Sequence, residues 1–263
     1  MKKRVAHFAS EAEMCTLFIG IATGEVSNGY RARATGWKAY PEVWGDILMV
    51  REDGFQVGIE AKLRLNDDVI LQAMDGGTSY VTQPGPDCRA VLVPQGTGSA
   101  LHRVACQRFG IQVITITADP EPHQPLVYPE LPRPGHWTGD GMWPEMFPIE
   151  RVRLPDFIPD VVAGRPAPVQ LTAWKIKAIK IACILERRGW VCRQDFKHIQ
   201  IDHRRFLDSG WLIAVDGAWR RGPAWPDFRM QHPRNFGEID DLFDDWKPPE
   251  LPAPQQATFG RLL

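Results

Sequence analysis

A chain of 263 residues with 44% hydrophobic and 24% charged side chains has the composition of a globular protein able to bury a core of its own. No apolar run approaches the roughly 20 residues of a membrane-spanning helix, so a helical membrane protein is excluded and no membrane partner is expected. The net charge of −1 hides an uneven distribution: residues 1–164 carry 15 basic and 20 acidic side chains, residues 165–235 carry 14 and 6, and residues 236–263 carry 2 and 6. A basic segment between two acidic ones points to a dedicated polyanion-binding region.

The Met-Lys-Lys-Arg start has the charge of a signal-peptide n-region, but Glu11 and Glu13 interrupt the segment after it and no cleavage site is evident. Ser10 is an N-cap candidate for a helix over residues 10–22, with Glu11, Cys15, Phe18 and Ala22 on one face and Glu13 on another. Residues 30–35 read as a strand. A hairpin comes next, with Asp46 on its first strand, a turn at Glu52-Asp53-Gly54, and a second strand that ends near Lys62. Alternation puts Phe55, Val57, Ile59, Ala61 and Leu63 on one apolar face and Gln56, Gly58, Glu60 and Lys62 on the other. A carboxylate and an ammonium thus stand side by side, and Asp46 reaches the same spot from the neighbouring strand. Two carboxylates and a lysine suit a hard divalent cation and an attacking water. The plain alternative is a solvated Glu–Lys pair on a surface strand.

Further along, Asn66 or Asp67 caps a helix to about Met74, and residues 88–93 read as a buried strand. Residues 99–109 read as a helix with an apolar stripe at Leu101, Val104, Ala105 and Arg108, closed by Gly110. Residues 111–117 form another β-rich run. This alternation predicts an α/β fold, a mixed central sheet flanked by helices. Residues 118–168 hold twelve of the 23 prolines, with Trp137, Trp143, Phe147 and Phe157 among them, and read as a linker or an irregular arm that packs on something.

Residues 171–187 carry a helical stripe at Leu171, Trp174, Ala178, Ile181, Ala182 and Leu185, ended by Gly189. Short helices come after it at 193–198 and 202–207, then a hairpin turning at Asp216-Gly217. Three helices and a hairpin are the plan of a winged helix-turn-helix. In the tail, Ile239, Leu242, Phe243 and Trp246 recur at helical spacing. They predict an amphipathic helix folded back on its own basic domain or, alternatively, a docking peptide for a protein partner. The last residues, rich in Pro, Ala and Gln, are expected to be loosely ordered. Five cysteines without Cys-x-x-Cys spacing predict free thiols in a reducing cytoplasm. A zinc site drawn from Cys183, Cys192, His198 and His203 matches no common spacing.

The segments Gly45-Asp46-Ile-Leu-Met-Val and Gly58-Ile-Glu60-Ala-Lys62 resemble the PD-(D/E)xK nuclease superfamily, the restriction-endonuclease-like fold, and the resemblance covers about residues 8–117. It implies that Asp46 and Glu60 hold Mg²⁺ or Mn²⁺, with the Ala61 carbonyl as a further ligand. It also implies that Lys62 contacts the scissile phosphate and helps orient or deprotonate the water. Glu11 resembles the helix glutamate that completes the metal site in many members; an ordinary acid favoured by the helix dipole is the alternative. Glu42 is a second candidate for an accessory acid. Gln72 resembles a glutamine that some members carry after the Glu-x-Lys strand, although Tyr80 lies farther on than the usual spacing, and Gln72 reads equally as a solvated helix position. Where the family has Pro-Asp, this chain has Gly45-Asp46.

The expected organisation is a nuclease-like domain at 1–117, a proline-rich arm at 118–168, a basic winged-helix-like domain at 169–235 and an acidic tail at 236–263. Nucleic-acid contacts are expected from Lys177, Lys180, Arg188, Arg193, Lys197, His203, Arg204, Arg205, Arg220 and Arg221. The expected activity is metal-dependent DNA cleavage. The two-part layout is similar to the nuclease subunit of some heteromeric transposases and is compatible with restriction enzymes or with nucleases of phages and other mobile elements. A non-catalytic DNA-binding protein on a nuclease fold and a structure-specific RNA nuclease are the alternatives. Cutting both strands with one site per chain suggests a homodimer or two sequential nicks.

Overall fold

The computed structural model describes residues 8–28, 36–75, 84–120, 124–133, 143–164 and 171–252; the strand expected at 30–35, Trp137, Tyr80 and the end of the tail lie outside them. The chain divides into two units, Met1–Pro168 and Val169–Leu263, each described by itself.

In the first unit, α1 (Glu11–Thr23) starts where the Ser10 hydroxyl accepts the Glu13 N–H, and it ends at Gly24 in the left-handed region. Three antiparallel strands come next: β1 (Trp37–Pro41), β2 (Ile47–Arg51) and β3 (Gln56–Ala61). Then α2 (Asp67–Asp75) leads to β4 (Cys88–Pro94), and α3 (Ala100–Arg108) leads to β5 (Ile111–Ile116); β3, β4 and β5 run parallel. A short β6 (Val127–Tyr128) closes the far edge antiparallel to β5. The result is one six-stranded mixed sheet in the order β1-β2-β3-β4-β5-β6. Side-chain alternation gives the two faces different partners. Val57, Ile59, Ala61, Ala90 and Leu92 share a core with Met14, Cys15 and Phe18 of α1. Val91 and Val93 share another with Val69 and Ala73 of α2 and Cys106 of α3.

Three expectations change. The pattern does not predict the strands β1 and β6. The stripe expected on α3 is split: Leu101 (74% exposed), Val104 (50%) and Arg108 face outward, Ala105 packs partly against the core, and Cys106 is the buried residue of that helix. Of the two readings of the proline-rich stretch, linker or packed arm, the arm is the one observed, and it belongs to the first unit instead of standing apart from it. Trp143 is buried and donates its indole N–H to the Glu130 carbonyl at 3.0 Å. Gln56, buried on β3, exchanges two hydrogen bonds with the backbone of Val152, at 2.8 and 2.9 Å, which satisfies an amide that would otherwise be costly to bury. Arg151 pairs with Asp87 at 2.9 Å.

In the second unit, α4 (Ala173–Arg188) is capped by Thr172 and closed by Gly189 at φ 79°. It buries Ile176, Ala178, Ile179 and residues 181–185, a wider face than the stripe predicts. The helices α5 (Arg193–Ile199) and α6 (Arg204–Asp208) precede a hairpin of β7 (Leu212–Val215) and β8 (Ala218–Arg221). Its two-residue turn has φ 50° at Asp216 and 78° at Gly217, the positive values of a type I′ turn. An isolated bridge from Val191 to Trp219 adds a rung beside β8. The chain continues as α7 (Phe228–Gln231) and α8 (Pro233–Asp241), which leads into the acidic tail and α9 (Phe243–Trp246). The tail folds back on its own basic helix, as expected. Phe236 and Ile239 are buried, Arg187 pairs with Asp240 at 2.8 Å, and Lys180 lies 5.1 Å over the Trp246 ring. The periodicity read as one helix breaks at Leu242, which is 46% exposed. No helix among the described residues is long and apolar enough to cross a membrane.

Candidate active site

The antiparallel register of β2 and β3 pairs Ile47 with Ile59, so Asp46 and Glu60 meet where β2 begins and β3 ends. This is a central strand pair, covered on both sides: β3 is buried at every position except Glu60. A solvated surface pair does not fit that setting. Asp46 Oδ2 accepts the backbone N–H of Ala61 at 2.7 Å, which ties the aspartate to the Glu-Ala-Lys segment. Lys62 Nζ lies 3.5 Å from Glu11 Oε2, so the first turn of α1 reaches the same spot. Both side chains keep about a third of their surface exposed, at 31% and 28%, which leaves them open to a ligand.

Burial dominates the electrostatics. It pushes the Glu60 carboxyl up to about 7, and the neighbouring Asp46 charge raises it further while Lys62 opposes the rise. Burial also raises Asp46, against the Ala61 N–H and Lys62, which lower it. The two carboxyls interact directly, and a proton shared between them lowers Asp46 and raises Glu60. Two carboxylates facing one lysine are short of positive charge.

Gly45, beside Asp46, is a position that only glycine fills without strain. Its φ is +56°, and a Cβ there would lie 2.7 Å from Glu60 Oε1 and 2.9 Å from the Ile59 carbonyl. Proline, locked near −65°, cannot adopt that conformation. Gly58 is equally constrained, because a Cβ would meet the Trp44 ring at 2.1 Å. Trp44 thus lies flush on the strand two residues before Glu60.

Glu42 joins the cluster more closely than the sequence suggests. It sits at φ 58°, strained for a non-glycine residue, and its N–H donates to the Asp46 carbonyl at 3.0 Å. Its Oε1 accepts the Gly164 N–H at 3.2 Å, and burial, then Asp46, raises its carboxyl above the usual range. Sequence reading misses Gly164 entirely, since nothing in a proline-rich stretch signals a return to residue 42. The Cys15 thiol, buried beside Asp46, Glu11 and Glu42, is pushed far above its usual value and stays protonated. Gln72 is exposed on α2 and makes no hydrogen bond to the cluster among the described residues. Asp46, Glu60, Lys62 and Glu11 are therefore brought together, and Gln72 is not.

Among the described residues no group of three or more His, Cys, Asp and Glu side chains is arranged to hold a metal ion, and this includes the zinc combination drawn from the sequence. The chemistry of the donor set at Asp46 and Glu60 still fits a hard divalent cation. Two carboxylate oxygens and a backbone carbonyl leave the remaining positions to water, as Mg²⁺ prefers.

The ten residues expected to contact nucleic acid fall into two groups. Lys177 donates to the Gln200 carbonyl at 3.1 Å, Lys180 is engaged with Trp246, and Arg188 pairs with the fully buried Asp195. His203 stacks on Trp219 at 4.9 Å, and Arg205 lies 4.2 Å over Trp174. Arg193, Lys197, Arg204, Arg220 and Arg221 are exposed and make no ion pair among the described residues. No family, curated protein or solved structure matches this chain.

Proposed function

We propose that the chain is a metal-dependent nuclease of the PD-(D/E)xK type, acting on DNA. The observation that carries this reading is the Asp46–Glu60 pair, half-buried at the end of a central strand pair, with Lys62 and Glu11 in contact beside it. A structural role would favour replacing such a pair with apolar residues, because its desolvation is not repaid within the fold. Asp46, Glu60 and the Ala61 carbonyl would hold Mg²⁺ or Mn²⁺, which supplies Lewis acidity toward a phosphodiester and lowers the pKa of bound water. Lys62 then neutralises the phosphate and orients the attacking water. Glu11 keeps the lysine extended toward the carboxylates, and below about pH 7 the raised Glu60 carboxyl holds a proton that a cation would displace.

The basic second unit supports a nucleic-acid substrate. Its helix order and hairpin are consistent with a winged helix. With only five residues, α6 is short for a helix that reads bases deep in the major groove. Phosphate contacts through Arg204 and the hairpin residues Arg220 and Arg221 fit the exposed charges better, so binding is expected to depend on salt more than on sequence.

The test is cleavage of linear, circular, single-stranded and branched DNA, and of RNA, with Mg²⁺, Mn²⁺ or EDTA, by the wild type and Lys62→Ala. Metal-dependent cleavage lost in Lys62→Ala is the expected result. Intact DNA binding without cleavage in any metal would refute catalysis and favour a regulatory DNA-binding protein; preferential cleavage of RNA would reassign the substrate.

A further inference from the structure

The helices α2 and α3 cover one face of the sheet, and their outward surface is unlike an ordinary solvated helix layer. Leu71 on α2 is 55% exposed; Leu101 and Val104 on α3 are 74% and 50% exposed, and Phe109 at its C-cap is 49% exposed. Leu101 and Val104, at i and i+3, share one face of α3 directed away from the buried Cys106, and Phe109 adds an exposed ring at the C-cap. Leu71 likewise lies opposite Val69, Ile70 and Ala73, which pack in the same core cluster as Cys106. The two outward faces therefore belong to one surface, and His102 Nε2, 3.2 Å from Asp67 Oδ1, links the helices at its edge.

The charges around this patch are segregated. Asp67 and Asp68 are exposed in the first turn of α2, and Arg103 and Arg108 are exposed on α3. A surface with an apolar centre, one acidic edge and one basic edge is complementary to itself under a two-fold rotation, which is the requirement of an isologous dimer. At roughly 150–200 Å² per large side chain, the four exposures amount to about 400 Å² of apolar surface per copy. A standard interface buries about 800 Å² per partner, somewhat over half of it apolar. The patch is close to that size, and it falls within the range of about 300–600 Å² of the largest apolar patch on a typical monomer, which is often a functional surface.

We propose that this face is the contact between two copies of the chain, with α2 of each copy set against α3 of the other. The proposal stands apart from the nuclease reading. If both hold, one particle carries two acidic clusters, the number that cutting both strands needs.

Sedimentation equilibrium of the full chain, from about 1 to about 100 µM, measures this directly without reading activity. The expected result is a concentration-dependent mass reaching twice that of the 263-residue chain. Leu101→Glu is expected to weaken the association at least tenfold while leaving the melting temperature of dilute protein unchanged, because the side chain is largely in solvent. Asp68→Lys and Arg108→Glu are each expected to remain monomeric alone and to form a mixed dimer when combined, since each mutated edge then meets its opposite. A wild type that stays monomeric across the range overturns the proposal, as does a dimer indifferent to Leu101→Glu. An equimolar mixture of the two charge variants that stays monomeric overturns it too.

Discussion

Replacing Gly45 with alanine tests whether the geometry beside Asp46 is as constrained as described. Two costs add. A non-glycine residue in the left-handed region loses about 1–2 kcal/mol. The new Cβ, 2.7 Å from Glu60 Oε1 and 2.9 Å from the Ile59 carbonyl, forces a shift of a buried strand, which costs about 1–3 kcal/mol. The sum, about 2–5 kcal/mol, corresponds to a fall in the first unit's melting temperature of roughly 10 °C. Gly54→Ala is the control. Gly54 has φ +84°, but its Cβ would meet only the end of the flexible Arg151 side chain, at 3.2 Å, so the left-handed cost of about 1–2 kcal/mol is all that is expected. Differential scanning calorimetry of both variants isolates the clash as their difference. A Gly45→Ala protein no less stable than Gly54→Ala would refute the close approach of Gly45 to Glu60. Gly45→Pro is expected to be worse still, because proline is locked near φ −65° and cannot adopt the positive φ of this position.

The raised Glu60 carboxyl has a defined pH signature. Between its ordinary value of 4.5 and about 7 the folded protein binds a proton that the unfolded chain has released, so the stability of the metal-free first unit falls as pH rises through that window. Glu60→Gln is expected to flatten the slope in urea titrations at successive pH values. Over the same window Mn²⁺ affinity is expected to rise about tenfold per pH unit and level off above about pH 7, which calorimetric titration reads directly. Phe236→Ala, at a position 1% exposed, is expected to cost the second unit about 3–5 kcal/mol in chemical denaturation. Arg220→Ala and Arg221→Ala are each expected to lower the slope of log K against log salt for DNA by about 1 while leaving stability unchanged. Arg188→Ala is expected to do the reverse: it strands the buried Asp195 and destabilises the unit by about 3–5 kcal/mol.

The acidic pair is legible because its signal is local. The Glu52-Asp53-Gly54 turn sets the register, and alternation along β3 does the rest, so Asp46, Glu60 and Lys62 emerge from one short segment. Glu11 is legible only as a candidate, since a first-turn acid looks the same whether or not a lysine from a distant strand meets it. Glu42 and Gly164 are not legible as a pair, because 122 positions separate the two ends of their hydrogen bond. The α3 stripe shows a different limit. Periodicity identifies a helix with an apolar face, but it does not say which body covers that face. The strand β6 has two residues among prolines, too few to leave a period, and its place is set by the backbone of β5.

The arm that returns to Gln56 and Glu42 also bears on the order in which the protein assembles. The β2–β3 hairpin closes over a few residues, a step of microseconds in isolated peptides. The hydrogen bonds that seat Val152 on Gln56 and Gly164 on Glu42 close loops of 96 and 122 residues, and such contacts are made late, after local structure has offset their chain entropy. A chain still being synthesised can pair Asp46 with Glu60 early, but Glu42 gains its Gly164 contact only when nearly the whole first unit has been made. The complete acidic cluster is in that sense a product of finished folding, and a partly folded chain does not carry it.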